Sequence, residues 1–541
     1  MASKLKKVLM IFIIIQPFLD IFWLYQPPIS EWLGMSPATI IRILFVGVIG
    51  VMFLLADHSK RMNLFFAGYL ALLLVYFALH QWNAGQFHSL IPGNFAYSTF
   101  GELFYIVRMV MPLFIIVVSY RTEFDDHTLE TVVSWLSGLV SGSIVLTNLL
   151  GISLGSYLHQ WGKGGIIKQY ARQHITGNIF AWFTTSGQGN YYGLASKGFF
   201  NHANTVSAMI LILTPLVIYF LCTNFNAKNV ILTVLQALAG LELGTKAAAY
   251  GTLGIIALFI IVYLFFVFIT REFRFKWAVV GSLVLILLGT GLLFHYSPTG
   301  NRQVSEAQTE DNATELRDNS KKDKHDIKNV YNHLKRLEKR NASDKRVGKY
   351  IEKHASELAL NEEFVKKSYP ARYDTNFWRS ILKWPIWQRM NYRGLQNAIW
   401  QRVSGINNNS KDKLLGFGYT RLSNMGLIER DFVSQYYAMG IIGMLLLVAP
   451  YVLIILFAMI MLLWHFRSRF TMRNVALGIS CALTLFLSLY AGYVMDYLTA
   501  TLLLSFFMGQ LLRGATGASN GNSGNTRTLA GLTFNGTRGA K

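Results

Sequence analysis

The chain has 541 residues, 52% of them apolar and 14% charged, with a net charge of +22 and a mean hydropathy of +0.35. Soluble domains are less apolar and more charged, and the apolar residues here gather in runs near membrane-spanning length, so a polytopic membrane protein is expected. The positive charge does not point to nucleic acid, because Lys and Arg lie mainly in short loops between the runs, and the two cysteines, Cys222 and Cys481, offer neither a disulfide framework nor a Cys-based zinc site.

Lys4, Lys6 and Lys7 precede the first run, Val8 to Tyr25. No small-residue cleavage site follows it and further runs do, which predicts a first transmembrane helix and not a removable signal. About twelve spans are predicted, near 8–25, 38–56, 64–80, 100–120, 128–150, 203–222, 229–246, 250–269, 277–296, 441–464, 474–491 and 497–513. The predicted fold class is all-α: a polytopic membrane helical bundle of about 12 transmembrane helices, with a large extracytoplasmic loop containing short helices.

Basic residues set the expected orientation. With the N-terminus inside, the inner connections hold Lys60 and Arg61, Arg121, Lys228, Arg271, Arg274 and Lys276, and Arg467, Arg469 and Arg473, with Arg513 at the end of the last span. Every inner connection carries a cation, so both termini are expected in the cytoplasm of a bacterial cell membrane. Residues 1–296 form the first membrane region, 297–440 the large outer loop, 441–513 the second membrane region, and 514–541 a Gly/Asn/Ser/Thr-rich tail expected to be disordered. Within the outer loop, 301–365 is rich in Asn, Asp, Glu and Lys and reads as a solvated insert with amphipathic helices. From Tyr369 to about Arg402, Trp, Tyr and Arg alternate, which suits helices at the outer membrane surface.

Three charges fall inside predicted spans, where each costs roughly 2.5–3.5 kcal/mol if unpaired at the centre. Asp20 and Arg42 share a depth on consecutive helices and are expected to pin them together. Two readings stand for Arg108: it snorkels to the outer surface, or it faces a cavity that holds an anion, for which its planar donor fork suits phosphate.

Three outward-facing motifs remain. SKGFFNHANTVSAMILILTPL opens the sixth span, with Gly198, Asn201 and Asn204 in a polar turn expected to cap the helix. LELGTKAAAYG places Lys246 just past a Gly-Thr turn. KDKLLGFGYTRLSNMGLIERDFVSQYYAMGIIG carries the Gly416–Gly418 turn and then Glu429, Arg430 and Asp431, with Arg389, Arg393 and Arg402 upstream. Taken singly, these are a capped helix, a snorkelling anchor and a surface ion pair.

Together they resemble the O-antigen ligase and O-antigen polymerase superfamily, in its O-antigen ligase-like membrane protein branch of Gram-positive type. Gly198-Phe199 with Asn201 and Asn204 matches the family's Gly-x-Phe…Asn-x-x-Asn motif. Leu243-Gly244-Thr245-Lys246 stands where the family has a Ser-Arg pair. Leu414-Leu415-Gly416-Phe417-Gly418 matches its Leu-Phe-Gly-x-Gly turn. Glu429-Arg430-Asp431-Phe432, with Gly440 beyond, matches its His-Asn-x-Tyr segment. Two departures stand out: Lys246 replaces an Arg, keeping the cation without the bidentate fork, and Glu429 replaces a His, keeping a group able to act as a base.

The resemblance implies transfer of a glycan from a polyprenyl-pyrophosphate donor to a glycan acceptor, at the outer face of the lipid bilayer, in cell-surface polysaccharide biosynthesis. It implies cations for the leaving pyrophosphate, here Lys246, Arg393, Arg389 and Arg108. It also implies a base for the attacking hydroxyl, here Glu429 with Arg430 or Asp431 orienting it. No dense acidic cluster demands a metal, so a metal-independent, inverting transferase without cofactor is expected. Two other classes fit the spans: a transporter of lipid-linked oligosaccharide, against which stands the lack of a clear internal repeat, and a non-catalytic partner of other polysaccharide-assembly membrane proteins, docking through 301–365.

Overall fold

The computed structural model describes residues 2–25, 36–56, 59–93, 95–157, 159–161, 167–169, 174–184, 191–304, 321–426, 428–518, 528–529 and 532–533. Among them the chain is nearly all helix, with a few two- and three-residue strand pairs such as Ser153–Leu154 against Ile175–Thr176. Residues 305–320 of the expected insert lie outside the described residues, as does most of the expected disordered tail.

Ten helices among the described residues are long and apolar enough to cross a membrane. These are α2 (Pro37–Ala56), α3 (Lys60–Ala84), α4 (Thr99–Arg121), α5 (Asp126–Leu149), α6 (Ala203–Thr223), α8 (Lys246–Phe268), α9 (Trp277–Tyr296), the broken span Asp431–Trp464, α16 (Met472–Tyr490) and α17 (Leu498–Thr516). Two of the twelve expected spans are shorter helices, α1 (Ala2–Ile14) and α7 (Ala227–Glu242). α1 stops ahead of Pro17, whose ring removes a backbone donor; a single 3-10 turn, Phe18–Asp20, follows. α7 is bounded by an Asn226 side-chain cap and by Gly244, whose φ is +72°.

The centre of the bundle is α6 and α17. Both are enclosed by other helices, and their apolar residues join one core with α1, α4, α5, α8 and α16. Polar contacts fix the packing where lipid offers no hydrophobic drive between helices. Ser119 on α4 donates to the Phe506 carbonyl at 2.6 Å, and Gln510 Nε2 donates to the Ser119 and Thr122 carbonyls at 2.8 and 2.9 Å. The expected meeting of Asp20 and Arg42 runs through Thr499: the Arg42 guanidinium donates to its hydroxyl at 2.5 Å, and that hydroxyl donates to Asp20 at 3.3 Å.

One end of the bundle gathers the basic connections. Lys6 pairs with Asp125 at 2.7 Å, Lys228 with Glu130 at 2.7 Å, Arg473 with Asp126 at 3.3 Å and Arg513 with Glu123 at 3.1 Å. The opposite end carries the large loop. Its helices are α10 (Lys321–Lys339), α11 (Asp344–Lys353), α12 (Thr375–Ile381) and α13 (Tyr392–Asn407). The sparse apolar residues of the insert fall on stripes at helical spacing: Val330, Leu334 and Leu337 on α10, Val347 and Ile351 on α11. They close on Phe364, Tyr369, Trp378 and Trp400 in a core continuous with Leu73 of α3 and Tyr105 of α4. Trp378 and Trp400, read from sequence as part of a surface-lying stretch, are buried in protein, and the Trp378 indole donates to the Tyr369 carbonyl at 2.9 Å. A Trp-rich, Arg-rich composition suits a membrane surface and a small aromatic core alike, and the apolar stripes of α10 and α11 give these two tryptophans a core to fill.

The broken span comprises α14 (Asp431–Leu447) and α15 (Ala449–Trp464), and it begins ten residues before the expected 441. Inside α14, Gly440 has φ +66° and ψ −175°, which interrupts the hydrogen-bond ladder. Backbone groups freed inside a membrane protein need partners. The Gly416–Gly418 turn and α3 supply them: Phe417 N donates to the Tyr437 carbonyl at 2.8 Å, Gly418 N to Ala438 at 3.0 Å, and the Tyr76 hydroxyl of α3 to Met439 at 2.7 Å. The approach excludes side chains, since a Cβ on Gly416 would lie 2.3 Å from the Ala438 oxygen and one on Gly440 2.4 Å from Leu414.

Candidate active site

The site is built on the short loop 491–497 between α16 and α17. Asp431, the first residue of α14, is buried, and its carboxylate accepts from the backbone N–H groups of Tyr493, Val494 and Met495 at 2.9, 2.9 and 2.6 Å. Three donors on one carboxylate fix the loop as a nest and hold Tyr493 at a φ of +66°, uncommon for a residue with a bulky side chain. The Thr205 hydroxyl donates to the Tyr493 carbonyl at 2.7 Å. The His202 ring stacks on the Tyr493 ring at 4.9 Å, and His202 Nε2 meets the Tyr497 hydroxyl at 2.7 Å.

The same loop carries a second buried acid. Asp496 accepts from the Tyr105 hydroxyl at 2.9 Å and from Gln435 at 3.2 Å. Arg108 donates to the Asp496 carbonyl. Burial raises the Asp496 carboxyl above the usual carboxylate range, against the hydrogen bonds and the Arg108 charge that pull it back. Tyr105 stacks on Tyr419 with centroids 3.8 Å apart.

Glu429 sits over the loop. A Cβ on Gly492 would come within 2.7 Å of the Glu429 Cα, so the glycine permits the approach. The Glu429 N–H donates to Gln396 Oε1 at 3.0 Å, and Arg393 Nε donates to Glu429 Oε2 at 3.3 Å. The two charged side chains are 30% and 28% exposed, which leaves both reachable from outside the protein. The Arg393 guanidinium also lies over the Tyr490 ring at 5.5 Å. The Tyr392 and Tyr493 hydroxyls line the same region, and burial, then the Glu429 charge, raises both above the ordinary phenol range.

The three sequence motifs converge here through the start of α6. Gly198, at φ +64°, receives Leu154 N on its carbonyl at 2.7 Å, and Asn201 N donates to the Asp20 carbonyl at 3.0 Å. The N-cap of α6 is His202, without a side-chain cap bond, so Asn201 anchors the segment to the 3-10 turn Phe18–Asp20 and does not cap. Asn204 lies half-buried in the first turn. Ser207, one turn on, shares a 2.7 Å hydrogen bond with Thr245, which caps α8 by accepting from Ala248 N at 3.3 Å. Lys246 is the next residue. The first turns of α6 therefore join the start of α8, with Lys246, to Tyr493 and its neighbour Glu429.

Other expected site residues are placed differently. Arg389 is buried, and its guanidinium donates to the carbonyls of Trp384, Leu358 and Leu382 and to the Tyr331 hydroxyl, at 2.8, 3.1, 2.6 and 2.7 Å. That placement makes it a clamp within the loop core instead of an anion contact beside Glu429. Arg402 is held bidentately by Asp374 at 2.7 and 3.2 Å. Arg430 is exposed at the N-cap of α14. Asp431, expected among the catalytic groups, has both oxygens occupied by the loop and acts in its architecture.

Sequence reasoning did not single out Tyr493, Asp496, His202 or the pair Glu102 and His80. Glu102 accepts from Tyr419 N, Thr420 N and the Thr420 hydroxyl at 2.9, 2.7 and 2.6 Å, fixing the turn after Gly418. His80 bridges the Leu415 carbonyl and Glu102, at 2.6 and 3.4 Å. The rule that singled out Asp20 and Arg108, an ionisable residue in an apolar span, applies equally to Glu102. Among the described residues no three His, Cys, Asp or Glu side chains gather as a metal site requires.

No curated protein matches the chain. A family model, "O-antigen ligase like membrane protein", matches residues 2–514, nearly the whole length. The chain belongs to that family of membrane proteins.

Proposed function

We propose that this protein transfers a glycan from a polyprenyl-pyrophosphate carrier to a hydroxyl of a second glycan at the outer face of the membrane. The family membership supports a membrane glycan ligase or polymerase. The observation that carries it is the contrast among the acids: Asp431 and Asp496 spend their carboxylates inward, whereas Glu429 keeps a reachable carboxylate beside the Arg393 guanidinium.

In this mechanism the acceptor hydroxyl attacks the anomeric carbon, and the bond from that carbon to the pyrophosphate oxygen breaks. The electron pair leaves on the pyrophosphate and the hydroxyl proton passes to Glu429. Arg393 has two partners in the cycle. Before donor binds, it holds Glu429; pyrophosphate oxygens match its planar fork better than one carboxylate oxygen at 3.3 Å does, so donor binding draws Arg393 away and releases the base. Lys246, with Arg108 deeper, adds positive charge to offset that on the leaving group.

Glu429→Gln removes the base and keeps the shape. In proteoliposomes supplied with the lipid-linked glycan of the producing cells, it should lower transfer about 100-fold or more. Lys246→Ala should act in the same direction. Wild-type transfer by both variants at wild-type protein level rules the assignment out. In cells, flipped donor accumulating outside supports a transferase, while donor trapped inside would make the protein a transporter.

A further inference from the structure

α13 and the first part of α14 run side by side away from the Glu429–Arg393 contact. Arg393 and Gln396 of α13 hold Glu429. Two turns further on, the Trp400 and Tyr437 rings lie 5.9 Å apart. Just beyond them is a cavity of about 190 Å³, lined by Gln401 and Ser404 of α13, Tyr436 and Tyr437 of α14, Phe417 of the glycine turn, and Asp412 and Lys413 just ahead of that turn. From Asp431 at the start of α14 to Tyr436 the helix rises roughly 7.5 Å, and Glu429 lies two residues further back, so the cavity is about the length of a disaccharide from it.

The lining has the chemistry of a sugar site. Aromatic faces accept the apolar C–H face of a pyranose, while an amide, a hydroxyl and an ammonium meet its ring hydroxyls. Lys413 and Asp412 are the charged residues of the lining. The Asp412 carboxylate is already taken by the amides of Asn83 and Asn407, at 2.9 and 2.5 Å, which leaves the Lys413 ammonium. The cavity therefore suits a neutral or acidic sugar and not a cationic amino sugar. Its volume holds one ring. It also borders the Gly416–Gly418 turn, so the turn that mends the break in α14 doubles as a wall of the pocket.

We infer that this cavity is a glycan subsite, holding a pyranose of the sugar chain about a disaccharide away from the transfer point at Glu429. This rests on the transferase reading above and extends it from the reacting bond to the chain that must be held in register.

The test uses the full-length protein in proteoliposomes, with lipid-linked glycan extracted from the producing cells as the probe. Ser404→Cys places a thiol in the pocket; the native Cys222 and Cys481 are buried, so labelling by a maleimide reports the new position. Added glycan should slow that labelling about threefold or more. Gln401→Ala and Tyr436→Ala should raise the half-saturating glycan concentration about tenfold, more than they change the saturated rate, and Tyr436→Phe should recover most of the loss. Labelling unaffected by glycan, with half-saturation unchanged in both alanine variants, overturns the subsite. Glu429→Gln in the Ser404→Cys background separates the two ideas: it should lose transfer yet keep the protection. Normal transfer by that variant overturns the base assignment, and the protection result still decides the pocket.

Discussion

Four acids, Glu102, Glu429, Asp431 and Asp496, lie close around one loop and one turn, and their hydrogen bonds separate their roles. Asp431 satisfies three buried N–H groups that would otherwise have no acceptor. Asp431→Leu should therefore destabilise the protein by about 3 kcal/mol or more, since each buried donor left unsatisfied costs roughly 1–3 kcal/mol. Thermal unfolding in detergent measures this, and a melting temperature equal to wild type would remove Asp431 from its structural role. Asp496 carries a pH dependence whose sign follows from its raised carboxyl. The folded state prefers the protonated form, so the stability it contributes is complete below the ordinary carboxylate range and is lost as pH rises through the raised folded value. The melting temperature should fall with pH across that window. Asp496→Asn, neutral at every pH, should flatten the slope; an unchanged slope would mean that Asp496 titrates as an ordinary carboxylate.

At the scale of elements, the break in α14 and the turn that mends it form one unit. Gly440→Ala places a Cβ 2.4 Å from Leu414 and holds a non-glycine residue at φ +66°, so we expect a loss of about 3 kcal/mol or more. Gly254→Ala, inside α8 with nothing within 4 Å of the new Cβ, should be neutral or stabilise by up to ~1 kcal/mol. Equal melting temperatures for the two variants would show that α14 relaxes around the alanine. The glycines of this unit were legible in the sequence, because Gly-Phe-Gly between polar segments and a Gly ahead of an apolar run both mark special backbone. The apolar segments were legible too, since each of the twelve runs holds a helix, although α1 and α7 are shorter than a span and the tenth run starts ten residues early and is broken at Gly440. The loop 491–497 was legible as the gap between the spans 474–491 and 497–513, but its role was not, because its partners are remote: Tyr105 and Asp496 are 391 positions apart. Local pattern carries no signal for such a pairing. Arg389 shows the converse. Its type and neighbourhood suggested an anion contact, but the carbonyls that claim it belong to a core that only the folded loop creates.

For the whole molecule, the two ends of the bundle are chemically unlike. One collects the basic connections and their acid partners, among them Lys6 with Asp125 and Arg513 with Glu123. The other carries the loop core, Glu429 and the starts of α6 and α8. Basic short connections face the cytoplasm as a rule; on that rule the proposed function has Glu429 outside, within reach of a lipid-linked donor but of no cytoplasmic nucleotide sugar. Two exposed serines mark the ends: Ser468 lies between α15 and α16 at the basic end, and Ser423 follows the glycine turn at the other. Ser423→Cys should react with a membrane-impermeant maleimide in intact cells, and Ser468→Cys only after permeabilisation. The buried native cysteines keep the background low. The reverse pattern would place Glu429 and Arg393 in the cytoplasm. The same residues would then face nucleotide-activated sugars, and release of Glu429 by a polyprenyl pyrophosphate on the outer leaflet would no longer be possible.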